Sequence, residues 1–209
     1  LDALRAASSR SGDPATRPSI DVQIASSITK LADDGIELRG HPLTDLVRDH
    51  SFEDVAELLL TKELPATPTR WPTLGADDER AVMATLGTVT ADPIARLTVA
   101  ALVLGGLHPD DGTAEATRRL LLACPAALGA GAAPSTAPFA RRLVGAWTRR
   151  PSPALVDAVD TALSLLADHE LATSTLAVRI AASVHASPTA GLVAGLATVE
   201  GALHGSAAL

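Results

Sequence analysis

The stretch "GIELRGHPLTDLVRDHSFEDVAELLLTKELP" at residues 35–65 changes its period part-way along, and that change decides the fold. At its start, within "KLADDGIELRG", apolar Leu31, Ile36 and Leu38 flank Asp34-Gly35, a dipeptide that tolerates the positive φ of a tight hairpin turn. This is the one convincing strand signal in the chain. From Pro42 the pattern becomes helical. Ser51-Phe52-Glu53-Asp54 has capping-box spacing, and Val55, Leu58 and Leu59 then share one face, so a helix is expected over 52–62. Glu63-Leu64-Pro65 ends it.

Further helices are expected at 77–86, 92–107, 113–123, 138–148, 152–166, 174–186 and 187–203. Three of them open with the same punctuation, Asp92-Pro93, Ser152-Pro153 and Ser187-Pro188. In each, a capping side chain precedes a proline that pre-sets φ at the first helical position. The composition agrees, with 47% hydrophobic residues, 20% charged and only 2% aromatic. A core with so few rings has to be built from Ala, Leu and Val, which pack helices closely. The expected class is all-α, with an N-terminal arm and β-hairpin over 1–40 and part of a large helical domain over 41–209. In the last helix Gly191 and Gly195 lie one turn apart beside a stripe of Leu192, Val193, Leu196, Val199 and Leu203. Small residues at that spacing let two backbones approach, so a helix–helix seam between subunits is expected there.

The formal net charge of −7 argues against a nucleic-acid face, which needs clustered Lys and Arg to neutralise phosphates. The doublets Arg118-Arg119, Arg141-Arg142 and Arg149-Arg150 read as solvated helix faces or ends. A single cysteine, Cys124, has no internal disulfide partner, reads as core filler and fits a reducing, cytoplasmic compartment. The charge-free run at 180–199 is long enough for a bilayer, yet it carries His185, Pro188, serines, threonines and glycines, so no membrane span is expected. No secretory signal opens the chain. Its first residue is Leu1, and it is expected to be part of a longer protein.

Six histidines, His41, His50, His108, His169, His185 and His204, invite a metal test. Helical ligand pairs need a spacing of three or four, and "HELAT" at 169–173 lacks a second histidine, so no metal site is expected. No glycine-rich phosphate loop or nucleotide fingerprint is present either. Two neighbourhoods remain, "ADHELATST" at 167–175 and "EGALHGSA" at 200–207. Each puts a histidine where a helix ends, with its ring free to face a cleft. Taken singly, either histidine reads as structural.

Taken together, with the helix 174–186 and the glycine-spaced helix between them, these segments resemble the citrate synthase family. Residues 35–65 are similar to that family's extended segment followed by its "SFEEVA-LL--GELP" helix, while 67–159 match only in helical character. The resemblance implies a helical homodimer that condenses an acyl-CoA with oxaloacetate. Acetyl-CoA would give citrate and propionyl-CoA 2-methylcitrate, with the CoA thioester as substrate and no cofactor. The family's "LHG" histidine falls on His204, whose implied role is to donate a hydrogen bond to the thioester oxygen as the enol forms. Negative charge develops on that oxygen when an α-proton leaves, and a preorganised donor stabilises it. Gly205 leaves room for the substrate. The "DHE" histidine falls on His169, with the implied role of holding oxaloacetate, and the serine of the "NAS" run falls on Ser174, implied to orient the His204 ring.

The departures are specific. Ala172 stands where the family has asparagine, Ala202 and Ser206 replace the proline and glycine of "GPLHGGAN", and the run ends at Leu209 without the asparagine. The family also uses a second histidine, an aspartate base and arginines, all after the "LHG" motif. They are expected, with a smaller C-terminal domain, beyond Leu209. A second reading therefore stays open: a catalytically impaired relative acting as a partner subunit or ligand-sensing dimer, in which 1–11 follows a DNA-binding segment.

Overall fold

Strand β1 (Thr29–Ala32) pairs antiparallel with β2 (Gly35–Leu38), Thr29 opposite Leu38 and Ala32 opposite Gly35. These coordinates are a computed structural model describing residues 26–32, 35–87, 92–131, 134, 136–168 and 172–201. The register corrects the expected turn: Gly35 is the first residue of β2, and the connection is 33–34, outside the described residues. A second reversal follows that the sequence did not announce. Arg39 and Gly40 both have positive φ, +49° and +86°, the twist a tight primed turn needs, and they return the chain to β3 (His41–Pro42). Arg39 also locks the sheet to the helices, its guanidinium donating to Ser27 O at 3.5 Å and Leu59 O at 3.2 Å.

The remaining secondary structure among the described residues is helical, so the all-α class holds with one small three-stranded sheet. Helices α1 (Leu43–Asp49) and α2 (Phe52–Thr61) follow the sheet, then α3 (Ala76–Leu86), α4 (Pro93–Leu107) and α5 (Thr113–Ala127). After them come α6 (Phe139–Val144), α7 (Pro153–Leu165), α8 (Thr173–Ser183) and α9 (Pro188–Val199). The cap chemistry is as expected. Ser51 and Asp54 form a complete capping box on α2. Asp92, Ser152 and Ser187 accept from Ala95 N at 2.7 Å, Leu155 N at 3.2 Å and Ala190 N at 3.2 Å.

Four C-terminal ends differ from expectation: α8 stops at Ser183 rather than 186, α9 stops at Val199 rather than 203, and the other two have a visible cause. Helix α5 runs through Pro125 to Ala127, because a proline in the last turn forfeits only one bond and Arg96 Nε donates to the terminal Ala127 carbonyl at 2.6 Å. Helix α6 stops at Val144, where the donors of Gly145, Ala146 and Trp147 tighten to the third residue back.

The core has two characters. Ala100, Ala101, Ala123, Ala127, Leu104 and Leu120 bring α4 and α5 together, with Leu192, Val193 and Leu196 of α9 packed on them. Phe52, Trp71 and Phe139 form a second cluster with ring centroids 5.4–5.9 Å apart. Beside it Leu38, Leu46, Val55 and Leu58 join the sheet to α1 and α2.

Charged groups are buried around the aromatic cluster. Glu53 is fully inaccessible; its Oε1 accepts from Trp71 N at 3.2 Å, with Arg70 at 3.6 Å and Arg142 at 3.8 Å. Burial pushes its carboxyl up despite these partners. Arg142 is buried too, donating to Pro72 O at 2.7 Å and Trp71 O at 3.1 Å. Arg118 makes a two-pronged contact with Glu57, both bonds 2.8 Å, and Arg119 bonds Asp111 at 2.8 Å and Asp78 at 3.1 Å. The arginine doublets are therefore not simply solvated faces: three of the six guanidiniums hold helices together.

Cys124 behaves as filler. Burial pushes its thiol up to about 12, which leaves it protonated and unreactive. The charge-free run 180–199 is divided by the end of α8, a left-handed His185 (φ +56°) and the start of α9, and no helix among the described residues is long and apolar enough to cross a membrane.

Candidate active site

Helices α8 and α9 form an antiparallel hairpin whose seam is set by glycine. A methyl group added at Gly195 would lie 2.8 Å from Val178 Cγ2 and 3.8 Å from the Ser174 carbonyl oxygen, and one at Gly191 would meet Val178 at 3.6 Å. The close approach read from the sequence is real. Its partner is different, because α8 of the same chain fills the glycine face and corrects the expected seam between subunits. The other side of α9 lies on α4, where a Cβ at Gly105 would overlap Thr189.

This packing has a consequence for the two histidine segments. Ser174, in the first turn of α8, sits against Gly195, in the last half of α9. The chain therefore enters α8 and leaves α9 at the same end of the hairpin. The "DHE" segment leads into that end and the "LHG" segment leads out of it. His169, His204 and Gly205 themselves lie outside the described residues, as do Ala202, Ser206 and Leu209. Ser174 is described, half-buried on α8 at the end where both segments attach.

The entrance to α8 is held in an unforeseen way. Asp168 accepts a hydrogen bond from the Thr29 hydroxyl of β1, and Ala167 packs against both the aromatic cluster and the Leu38 cluster. Ala172, where the family motif has asparagine, is the N-cap of α8 with extended ψ of 146°, and no side chain caps that helix. An amide there would stand where N-cap acceptors stand. Neither Thr29 nor the cap role of position 172 has a local sequence signal, since the partners of the first are 139 residues apart. Among the described residues no group of three or more His, Cys, Asp or Glu is arranged to hold a metal ion.

A multi-helix domain with a glycine-seamed hairpin connects these two segments, and the comparisons give that fold a family. A family profile described as "Citrate synthase, C-terminal domain" matches residues 21–209. The chain belongs to the citrate synthase family. It is 41% identical over 66 residues to the citrate synthase of Saccharolobus solfataricus, covering 32% of this chain and 18% of that protein. The citrate synthase of Thermoplasma acidophilum gives the same 41% over 66 residues, covering 17% of its length.

Among solved structures, Thermoplasma acidophilum citrate synthase in a ternary complex with carboxymethyl coenzyme A and oxaloacetate superposes with a TM-score of 0.72 at 20% identity. That match covers 90% of this chain and 56% of that one. Citrate synthase from Thermotoga maritima gives 0.69 at 20% identity, covering 88% and 55%. The chain thus spans little more than half the length of the solved structures it matches, and these likenesses establish the fold.

Proposed function

We propose that the protein to which this chain contributes joins the α-carbon of an acyl-CoA to the carbonyl carbon of oxaloacetate, after which water cleaves the thioester bond, giving citrate from acetyl-CoA or 2-methylcitrate from propionyl-CoA and releasing CoA. The observation that carries the reading is the shared end of the α8–α9 hairpin, from which both histidine segments depart, in a chain matched by the family over residues 21–209. In this reading His169 holds oxaloacetate. His204 donates to the thioester oxygen while the α-proton leaves, Gly205 admits the thioester, and Ser174 fixes the His204 ring. The aspartate base, the second histidine and the carboxylate-binding arginines come from the part of the protein outside this chain. No cofactor takes part, since the thioester supplies the activated carbon.

The proposal includes a cytoplasmic homodimer. With the glycine face occupied by α8, the subunit contact is assigned to the outer side of α8, where Ile180 and Val184 are 60% and 73% exposed. A solvent-facing apolar pair at a helix end is what a second subunit would cover. The departure at Ala172, one of those that leave an impaired relative open as a second reading, falls at the uncapped N-terminus of α8.

Thiol-detected CoA release from the whole protein, with acetyl-CoA and with propionyl-CoA, tests the reading. Release that requires oxaloacetate is expected, and the faster thioester identifies the product. No oxaloacetate-dependent release with either thioester would move the assignment to a partner subunit or ligand sensor.

A further inference from the structure

Two successive residues ahead of His169 are fixed by earlier parts of the chain, Asp168 by a strand that precedes it by well over a hundred positions. The Thr29 hydroxyl donates to Asp168 Oδ2 across a separation of 139 residues. Ala167 sits between the Phe52–Trp71–Phe139 cluster and the Leu38–Leu46–Val55–Leu58 cluster. The strand that carries Thr29 is itself well located. Thr29 pairs with Leu38, whose side chain is buried in that second cluster, and Arg39 ties the base of the hairpin to Ser27 O and to Leu59 O on α2. On the other side of the histidine segment, helix α8 begins at Thr173 without a side-chain cap bond.

The link is not an interior contact that the fold requires. β1 is the edge strand of the sheet, and its Leu31 is 71% exposed. A hydroxyl on an edge strand bonded to a carboxylate in a loop orients that loop more than it stabilises a core, because a charge-assisted bond fixes direction as well as distance. We propose that Thr29 is a positioning residue for oxaloacetate binding: through Asp168 it sets the start of the His169 segment. This rests on the assignment of His169 to oxaloacetate. Serine at 29 keeps the donor and meets the requirement; valine, of the same shape, does not.

The test compares wild type, Thr29→Val, Thr29→Ser and Asp168→Asn in the whole protein. Oxaloacetate binding by calorimetry, KM and kcat, amide hydrogen exchange over 167–173 and the melting temperature are measured on each. Thr29→Val is expected to weaken oxaloacetate binding about tenfold, the loss of one well-placed bond, with kcat little changed. Its exchange over 167–173 should be faster at an unchanged melting temperature, while Thr29→Ser stays at wild type. Asp168→Asn, which keeps the size and loses the charge, should fall on the same side as Thr29→Val. Wild-type binding and exchange in Thr29→Val would overturn the proposal while leaving the condensation reading intact. A loss shared equally by Thr29→Ser, or one that tracks a lowered melting temperature, would overturn it in favour of a purely structural contact. A wild-type protein that does not bind oxaloacetate would remove the His169 assignment and the proposal with it.

Discussion

The chain is held together in two ways that differ in kind. Around α2, Phe52, Trp71 and Phe139 interlock, and buried Glu53, Asp54 and Arg142 are tied to backbone groups of the 69–72 loop. At the α8–α9 hairpin there is almost nothing to interlock, and the helices meet because Gly191 and Gly195 let them. The first region is specified by large side chains with one satisfactory arrangement. The second is specified by absence of side chains, so its failure mode is the addition of atoms rather than their removal. The candidate site hangs from the second region and is anchored to the first through Ala167 and to the sheet through Asp168.

The largest expected effect comes from emptying the first region. Phe139 is 1% exposed and touches both other rings, so Phe139→Ala should cost about 4 kcal/mol, the usual range for deleting a buried ring. Chemical denaturation checks this, and a loss below about 1 kcal/mol would mean the aromatic cluster does not hold α2 to α6. The hairpin should respond to the opposite change. Gly195→Leu forces a side chain into Val178, an overpacking cost of about 3 kcal/mol. Replacing a helical glycine returns about 1 kcal/mol, leaving a net loss of about 2 kcal/mol. Adding Val178→Ala should recover most of it, whereas strictly additive losses would put the glycine face against something else.

Much of this was legible because it is local. Caps at Ser51, Asp92, Ser152 and Ser187 bond within three residues, so their chemistry is written in adjacent letters. The glycine stripe of α9 was legible as a close approach, but not its partner, since a small face records how near something comes and not what it is. The extension of α5 from the expected 123 to Ala127 was not legible, because it runs through Pro125 to a carbonyl capped by Arg96 from another helix. Arg142 was misread as exposed because the acceptors that pay its desolvation lie at Trp71 and Pro72, outside its own neighbourhood. Thr29 offered no signal, and the tight turn at Arg39-Gly40 hid behind a non-glycine residue in a left-handed conformation.

Smaller effects sharpen the contrast. Hydrogen bonding to Arg118, outweighing burial, and a further bond from the Trp71 ring nitrogen hold the Glu57 carboxyl below its usual 4.5. A depressed carboxylate contributes stability that is fully present above the unfolded value and lost as pH falls through the lower folded one. Glu57→Gln should therefore cost about 1.5 kcal/mol at pH 7 and progressively less below pH 4.5, so the mutant and wild-type stability curves converge in acid. Parallel curves would mean that the pair contributes no charge-dependent stability. The smallest effect is a gain: Ala172→Asn should cap α8 and raise stability by about 1 kcal/mol in the absence of any substrate. A change in oxaloacetate affinity without a change in melting temperature would instead return that position to the substrate.

In the proposed reading, His204, in the segment that follows α9, is an oxyanion-type donor to a thioester. Steady-state turnover of His204→Ala in the whole protein, with saturating oxaloacetate and the preferred thioester, tests it most directly. The account predicts a fall in kcat of about two to three orders of magnitude, the effect of deleting one such donor, with oxaloacetate affinity little changed. Wild-type turnover in that variant would contradict it.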